Sequence, residues 1–143
     1  MICLGSDHGG FDLKQEIKKY LEKNNIEYRD LGPDKVDNDD DYPDYAVKVA
    51  EEVAAGDNKG ILICGTGIGM CITANKLKGV RAALCYDKKT AILSREHNNA
   101  NILCLGARTT KKSKALKIVD VWLKTEFSSE DRHKRRVDKM DKL

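Results

Sequence analysis

The sequence predicts a single α/β domain built on a parallel sheet, and three observations support this prediction. Short apolar runs alternate with amphipathic stretches along all 143 residues, as they do in successive strand–helix units. The strand-like runs are mostly apolar throughout, which is typical of strands buried on both faces. A chain of this length can cover both faces of one sheet with helices. We therefore expect three layers, α/β/α.

Five runs are expected to form the strands of this sheet. Each is short and bounded by polar or glycine-containing segments. In chain order they cover residues 2–6, 26–31, 60–64, 80–85 and 102–105.

Three stretches between these runs carry apolar residues at helical spacing. Their other positions are rich in Lys and Glu, which would face water, so each stretch is expected to pack one face on the sheet. The three apolar stripes are Leu13, Ile17, Tyr20 and Leu21; Ala46, Val49, Ala50 and Val53; and Ala115, Ile118, Val119 and Trp122.

Composition argues against several classes of protein. The chain has 26 Lys and Arg against 23 Asp and Glu, and a net charge of +3 is too small to indicate a polyanion partner by itself. No run approaches the roughly 20 apolar residues of a membrane span, and the first residues do not resemble a signal peptide. Five cysteines, none spaced C-x-x-C, indicate free thiols in a reducing cytoplasm and no structural zinc.

The domain organisation is expected to be simple. Residues 1–127 would form the α/β domain, and residues 128–143 a basic, helical C-terminal tail that belongs to the same domain or to a dimer interface.

Polar and glycine-rich segments follow three of the predicted strands. The carboxyl ends of parallel strands meet at one edge of a sheet, which is where α/β proteins bind their ligands. The three segments are residues 6–10 (Ser-Asp-His-Gly-Gly), 64–69 (Cys-Gly-Thr-Gly-Ile-Gly) and 106–108 (Gly-Ala-Arg).

The second of these segments predicts an anion-binding turn. A helix is expected to begin there, so unpaired backbone N–H groups and the positive helix end would attract a phosphate or an oxyanion. The donors would come from Gly65, Gly67, Ile68 and Gly69. The spacing G-x-G-x-G fits neither the dinucleotide fingerprint nor the P-loop. Nucleotide binding remains an alternative, with Asp87 as the acid for the ribose.

Cys64, at the start of this turn, is a candidate base, because the helix end and nearby amides favour a thiolate. By position alone it fits equally well as a small buried residue like Cys3. His8 and His97 lie in loops expected at the same sheet edge as Asp7 and Cys64. This grouping predicts a shared acid–base site.

Two charged segments interrupt the alternation. Arg132 and Arg136 are four residues apart, so a helix would present both guanidinium groups on one face, suited to a phosphate or simply to solvent. The acidic loop at residues 37–41 is similar to a calcium loop. That pattern needs Gly and Glu where this chain has Tyr42 and Lys48, so we expect no calcium site.

Taken together, the motifs resemble the type B ribose-5-phosphate isomerases. The galactose-6-phosphate and allose-6-phosphate isomerases share much of the pattern. The matching segments lie in order along essentially the whole chain, at residues 5–10, 41–43, 64–69, 74–76, 95–99 and 132–136.

The resemblance implies a Rossmann-like fold that dimerises and places its sites at the subunit interface, with pairing into tetramers left open. It also implies interconversion of ribose 5-phosphate and ribulose 5-phosphate through an enediolate, without a metal or a cofactor. Such chemistry needs a base, donors for an oxyanion and a charged clamp for the phosphate.

The resemblance assigns the chemical roles to particular residues. Cys64 would move the proton between C2 and C1, a task that a glutamate at the position of Met70 performs in another branch of the family. Thr66 and the amides of the turn would stabilise the enediolate. His97, with Asp7 nearby, would open the sugar ring.

The same resemblance assigns the residues that bind substrate. Asn98 would bind sugar hydroxyls, and Tyr42 would line the pocket. Four basic residues would hold the phosphate, two of them donated by the tail of the other subunit: His8, Arg108, Arg132 and Arg136.

Three alternatives remain open at this point. A six-carbon sugar phosphate could replace ribose 5-phosphate, although galactose 6-phosphate enzymes use two dissimilar subunits and this chain carries the whole set of residues. A non-catalytic module that binds nucleotides or sugar phosphates would need the glycine turn but not Cys64 or His97. Nucleic-acid binding by the tail is weaker, because no aromatic residues interleave residues 132–136.

Overall fold

The computed structural model describes the whole chain, residues 1–143, and its centre is a five-stranded sheet in which every pairing is parallel. The spatial order of the strands is β2-β1-β3-β5-β4. The strands are β1 (Ile2–Ser6), β2 (Tyr28–Asp30), β3 (Lys59–Cys64), β4 (Ala82–Leu84) and β5 (Ile102–Gly106). The predicted α/β class with five parallel strands is confirmed.

Five of the six α-helices cover the two faces of the sheet. Buried side chains of α1, α4 and α5 pack on one face, and those of α2 and α3 pack on the other. The Rossmann-like three-layer arrangement is therefore confirmed. The helices are α1 (Phe11–Lys23), α2 (Tyr42–Ala54), α3 (Ile68–Ala74), α4 (Lys88–Glu96), α5 (Lys112–Lys124) and α6 (Asp131–Met140).

The central strands divide the core into two layers. Because side chains alternate along a strand, Ile61 and Ile63 of β3 point into the core beneath α1 and α5, whereas Leu62 and Cys64 point into the core beneath α2 and α3. All of the predicted stripe residues except the half-buried Tyr20 are buried. Apolar burial on both faces is what the unbroken apolar runs required.

The two edge strands are shorter than predicted. β2 and β4 each span three residues, and their side chains are partly exposed. Asp30 at the end of β2 accepts hydrogen bonds from Lys14 at 2.7 Å and from Lys18 at 2.9 Å. Lys14 is fully buried and also donates to the carbonyl of Pro33 at 2.7 Å, so α1 anchors the chain where it leaves β2.

Helix α4 begins at a capping box. The carboxylate of Asp87 accepts a hydrogen bond from the backbone N–H of Thr90 at 2.7 Å, and the Thr90 hydroxyl accepts one from the Asp87 N–H at 3.3 Å. The Asp87 carboxylate is therefore engaged in capping a helix. No helix in the chain has the length and apolar character that crossing a membrane requires.

Candidate active site

The strand order creates a crevice between the carboxyl ends of β1 and β3. From β1 the chain continues outward to β2, and from β3 it continues toward the opposite edge, so the loops after these two neighbours diverge. The segment after β1 forms a short 3₁₀ turn, His8–Gly10, capped by the Asp7 carboxylate, which accepts from the Gly10 N–H at 3.1 Å. Asp7 and His8 are thereby held at the crevice.

Cys64 ends β3 and lies at the mouth of the glycine turn. Its side chain is buried against the α2–α3 layer, and its Sγ accepts a hydrogen bond from the Gly67 N–H at 3.1 Å. The Thr66 hydroxyl, on the exposed side of the turn, accepts from the Ile68 N–H at 3.3 Å. The thiol, the hydroxyl and the backbone donors of the turn therefore share one small region.

The amides of the turn divide into two kinds. Those of Gly67 and Ile68 are engaged by Cys64 and Thr66, as described above. The N–H groups of Gly65, Thr66 and Gly69 donate to no group within the chain. These three residues therefore supply the N–H groups of the turn that are open to an incoming oxyanion.

Two glycines of the turn are fixed by their surroundings. Gly67 has a φ of +77°, and a β-carbon there would lie 2.6 Å from Cδ1 of Leu84 and 2.8 Å from the carbonyl carbon of Leu105. A β-carbon on Gly69 would lie 2.5 Å from the ring of Tyr42, the first residue of α2. Tyr42 therefore packs on the turn, at the predicted site.

Arg108 reaches the crevice from the loop after β5. Its backbone N–H donates to the Gly65 carbonyl at 2.9 Å, and the guanidinium lies over Gly9 and Gly65, within 3.4 Å of the positions that β-carbons would take there. The absence of side chains on both glycines leaves room for the guanidinium next to Asp7 and His8. Arg108 thus adds a positive charge to the crevice.

His8 is held by a carboxylate that the sequence analysis missed. Oδ1 of Asp40, in the loop before α2, accepts from the His8 backbone N–H at 3.1 Å and lies 2.6 Å from His8 Nδ1. This hydrogen bond is the main cause that raises the pKa of His8; burial and Arg108 oppose it, and Asp7 adds to it. One signal for Asp40 was available in the sequence. It lies in the segment that follows β2, the strand that pairs with β1, and could therefore be expected near the residues that follow β1.

The same three side chains have the spacing of a possible cation site. One ligand atom each from Asp7, His8 and Asp40 lies within 4.8 Å of the others. The 2.6 Å contact places a proton between Nδ1 and Oδ1, which a cation would have to displace. The arrangement therefore favours a charged imidazole paired with a carboxylate.

Six predicted site residues thus gather at the carboxyl edge of the sheet. We call them the carboxyl-edge group: Asp7, His8, Tyr42, Cys64, Thr66 and Arg108.

Four predicted residues lie elsewhere, at the amino edge of the sheet. His97 is the C-cap of α4, and its ring stacks on that of His133 in α6 with centroids 4.2 Å apart. His133 is buried, which lowers its pKa, and it shares a hydrogen bond of 2.9 Å with Ser128. Asn98 borders a groove of about 630 Å³ that Met140 of α6 also lines.

The two arginines of the tail are exposed on α6, four residues apart, beside the buried His133. Arg132 is paired with Glu130 at 3.0 Å. We call His97, Asn98, Arg132 and Arg136 the amino-edge group.

The expectation that His97 lies at the same sheet edge as Cys64 and Asp7 is wrong within one chain. Helix α4 starts beyond the carboxyl end of β4 and crosses the sheet, so it delivers His97 to the start of β5. In the β3–β5 pairing, Gly60 faces Ile102 at one end and Cys64 faces Gly106 at the other. Four residue steps along a strand separate these ends by about 13 Å.

A second thiol in the region has an altered acidity. Cys71, half-buried on α3, has a pKa lowered to about 7, chiefly by a hydrogen bond with Cys104, which outweighs burial. Its thiol lies 3.4 Å from the Ala82 carbonyl oxygen, so it faces β4. All five cysteines are free thiols.

The fold and the carboxyl-edge group define an α/β protein with a thiol, an imidazole and a guanidinium around an anion-binding turn. Comparison with known families places it further: a sequence model of the Ribose/Galactose Isomerase family matches residues 2–140. The chain belongs to this family, and the resemblance inferred from the motifs is confirmed.

Individual relatives match over nearly their whole length. The ribose-5-phosphate isomerase B of Escherichia coli is 44% identical over 138 residues, which are 96% of this chain and 91% of that protein. A structure of ribose-5-phosphate isomerase B from Clostridium thermocellum is 50% identical, has a TM-score of 0.94 and covers 99% of this chain and 95% of that one.

A further structure contains a ligand. Ribose-5-phosphate isomerase B from Mycoplasma genitalium, with bound ribulose-5-phosphate, is 48% identical, has a TM-score of 0.96 and covers 99% of this chain and 93% of that one.

Proposed function

We propose that this protein is a ribose-5-phosphate isomerase that interconverts ribose 5-phosphate and ribulose 5-phosphate through an enediolate, with Cys64 as the base. The observation that carries the proposal is the position of the Cys64 thiol at the mouth of the glycine turn, where Gly67 N–H contacts it at 3.1 Å. The relatives named above, one of them holding ribulose-5-phosphate, support the choice of substrate.

The reaction needs a base and donors for an oxyanion, and the carboxyl-edge group supplies both. The Cys64 thiolate takes the proton from C2 of the open-chain aldose to give the enediolate. A proton then passes from O2 to O1, and the proton held by Cys64 is returned to C1 to give the ketose. Charge develops on the substrate oxygens between these steps, and the Thr66 hydroxyl and the open N–H groups of the turn stabilise it. Met70, next along the turn, is fully buried and offers no second base.

The complete site is proposed to combine two subunits. The carboxyl-edge group has the base and the oxyanion donors but lacks His97, which would open the sugar ring, and the tail arginines, which would hold the phosphate. Because the sheet separates the two groups in one chain, the amino-edge group of a second copy would complete the site. His8 and Arg108 would meet the phosphate from the first subunit.

Exposed apolar side chains near the turn support an association of this kind. Ile68 and Ile72 on α3 and Tyr86 after β4 are each more than half exposed. Burial of such a patch against a second copy would remove it from water. We propose a homodimer on this basis, and we assign it to the cytoplasm because all five thiols are free.

The first experiment measures isomerisation of ribose 5-phosphate by metal-free protein and by Cys64→Ala, with Cys71→Ala as the matched control. Loss of a general base lowers kcat by about a thousandfold, whereas Cys71→Ala, which removes the half-buried thiol of α3, keeps most of the rate. Sugar-phosphate binding by Cys64→Ala should persist. Wild-type protein that binds ribose 5-phosphate without converting it would refute the proposal and favour a binding module.

The same assay with allose 6-phosphate and galactose 6-phosphate tests the substrate. The ratio of kcat/KM values identifies the preferred sugar, because this ratio is the discrimination between competing substrates. A higher value for either six-carbon phosphate would replace ribose 5-phosphate in the proposal and leave the Cys64 chemistry intact.

A second experiment tests the shared site by mixing two inactive variants, Cys64→Ala and His97→Asn, under conditions that exchange subunits. In a mixed dimer one site receives both intact residues, so about a quarter of wild-type activity returns. The control mixture, His97→Asn with Arg132→Ala, restores nothing, because both changes fall in the amino-edge group. A first mixture that also stays inactive would contradict the shared site.

A further inference from the structure

Asp40 has no part in the chemistry described so far, yet its contacts differ from those of its acidic neighbours. Its side chain is only 5% exposed, and one oxygen, Oδ1, meets both the backbone N–H and the ring nitrogen Nδ1 of His8. Asp39, one residue earlier, is exposed. Burial of a carboxylate costs free energy unless the group is paired, so the contact with His8 must stabilise the buried Asp40.

The two oxygens of the Asp40 carboxylate have different surroundings. Oδ2 of Asp40 is buried and has no hydrogen-bond partner. An unpaired buried oxygen costs free energy, so the contact between Oδ1 and His8 must compensate for it. Both hydrogen bonds of the Asp40 side chain are therefore with His8, and none is with the rest of its own loop.

We propose that Asp40 is a positioning residue: it fixes the His8 ring with Nδ1–H toward the carboxylate and so presents Nε2–H, with positive charge, to the phosphate of the substrate. This inference rests on the proposed function for the identity of the anion. It assigns a role in recognition to the acidic loop, where a net repulsion of phosphate would otherwise be expected.

The charged groups around His8 act in both directions. Asp40 from the loop before α2 and Asp7 from the turn after β1 favour the imidazolium, whereas Arg108 from the loop after β5 opposes it. A raised pKa means that His8 stays charged as the pH rises past the ordinary histidine value of about 6.5. Substrate binding would therefore persist to a higher pH than an unperturbed histidine allows, and this pH range would shrink without Asp40.

The test compares Asp40→Ala and Asp40→Asn with Asp39→Ala, which removes one charge from the same loop without touching His8. Nitrogen NMR of the imidazoles reports protonation and tautomer directly, and only three histidines need assignment, with His8→Asn identifying the signal. In wild type, His8 should keep Nδ1–H when it deprotonates. In Asp40→Ala its pKa should fall toward the ordinary value and the tautomer should change.

Enzyme kinetics then test whether the His8 ring binds the phosphate of the substrate. For Asp40→Ala, KM for ribose 5-phosphate should rise about tenfold at a pH where NMR shows His8 charged in the wild type and neutral in the variant, and much less at a lower pH where His8 is charged in both, while kcat is largely kept. Asp40→Asn retains an acceptor for Nδ1–H, so it should recover the tautomer but not the raised pKa. Asp39→Ala should behave as wild type.

Two results would overturn the role of Asp40. One is a His8 signal whose pKa and tautomer are unchanged in Asp40→Ala, and the other is a KM increase that is equal at both pH values or is matched by Asp39→Ala. The NMR titration, repeated with inorganic phosphate as the probe, needs no turnover. A wild-type protein that fails to isomerise ribose 5-phosphate would thus refute the proposed function and leave the His8 measurement to decide on Asp40.

Discussion

Substitution of Gly67 by alanine should lower both the stability and the activity of the protein, because Gly67 is constrained by its backbone conformation and also by close contacts. Gly67 has a φ of +77°, and its N–H donates to the Cys64 thiol at 3.1 Å. A methyl group there meets Leu84 and the backbone of Leu105. Backbone of the central strand β5 cannot move aside as a flexible side chain can, so the turn itself must shift.

The magnitude has two parts. A left-handed conformation costs an alanine about 1–2 kcal/mol. Forcing a methyl group into contacts of 2.6–2.8 Å adds about 1–3 kcal/mol. Gly79 provides the matched control, since its φ is +83° but a β-carbon would meet nothing within 4 Å. Gly79→Ala should therefore lose only the first part.

The assay is urea unfolding of both variants together with isomerase kinetics. Gly67→Ala should be less stable than Gly79→Ala by about 1–3 kcal/mol. Its kcat should fall by about a hundredfold, because the turn that aligns Cys64 and the oxyanion donors is displaced. Gly79→Ala should retain its kcat.

Two outcomes would refute this reasoning. If both alanine variants lose the same stability, the contacts with Leu84 and Leu105 impose no constraint. If Gly67→Ala folds with reduced stability but keeps the wild-type kcat, the position of the turn does not control the chemistry.

Two predictions concern the buried charges. Asp30→Asn removes the partner of the fully buried Lys14 and should cost about 3 kcal/mol at neutral pH. Burial alone would raise the pKa of Asp30, but hydrogen bonds from Lys14 and Lys18 outweigh it and lower the pKa. This stabilisation is therefore present above pH 4 and lost as the pH falls through the lowered value, so urea unfolding of Asp30→Asn should respond less to acid. A variant with the wild-type acid response would contradict this. Arg95→Met leaves three oxygen acceptors unpaired and should lower the free energy of unfolding by about 3 kcal/mol, measured by thermal unfolding. The control Arg135→Met, at an exposed position, should change this free energy very little. Equal losses of stability in the two variants would show that the buried contacts of Arg95 do not stabilise the fold.

The strands illustrate how far sequence reasoning reaches. The three central strands match the predicted runs to within one residue, because burial on both faces leaves an unbroken apolar signal. At the sheet edges, Ile26 and Leu31 flank the ladder of β2 without belonging to it. Apolar character there reflects packing beneath the helices and does not mark strand ends, so the predicted edge strands are too long.

The site shows the same division. Asp7, Cys64 and Arg108 could be grouped from sequence, because strand ends in a parallel sheet share an edge. His97 could not be placed in this way, because helix α4 was not predicted. A helix that connects two parallel strands begins at the carboxyl edge of the sheet and ends at the amino edge, so His97 lies at the edge opposite to Cys64. Asp40 was missed because a loop of consecutive aspartates gives no periodic signal to single out one of them.

The separation of the carboxyl-edge and amino-edge groups has a consequence for rate laws. If each site takes residues from two copies, an isolated chain is inert, and active sites form only by association. At protein concentrations well below the dissociation constant of the dimer, the initial rate should then rise with the square of the protein concentration, and specific activity should fall on dilution. During expression, such an enzyme would become active only as the subunit concentration approached the dissociation constant of the dimer.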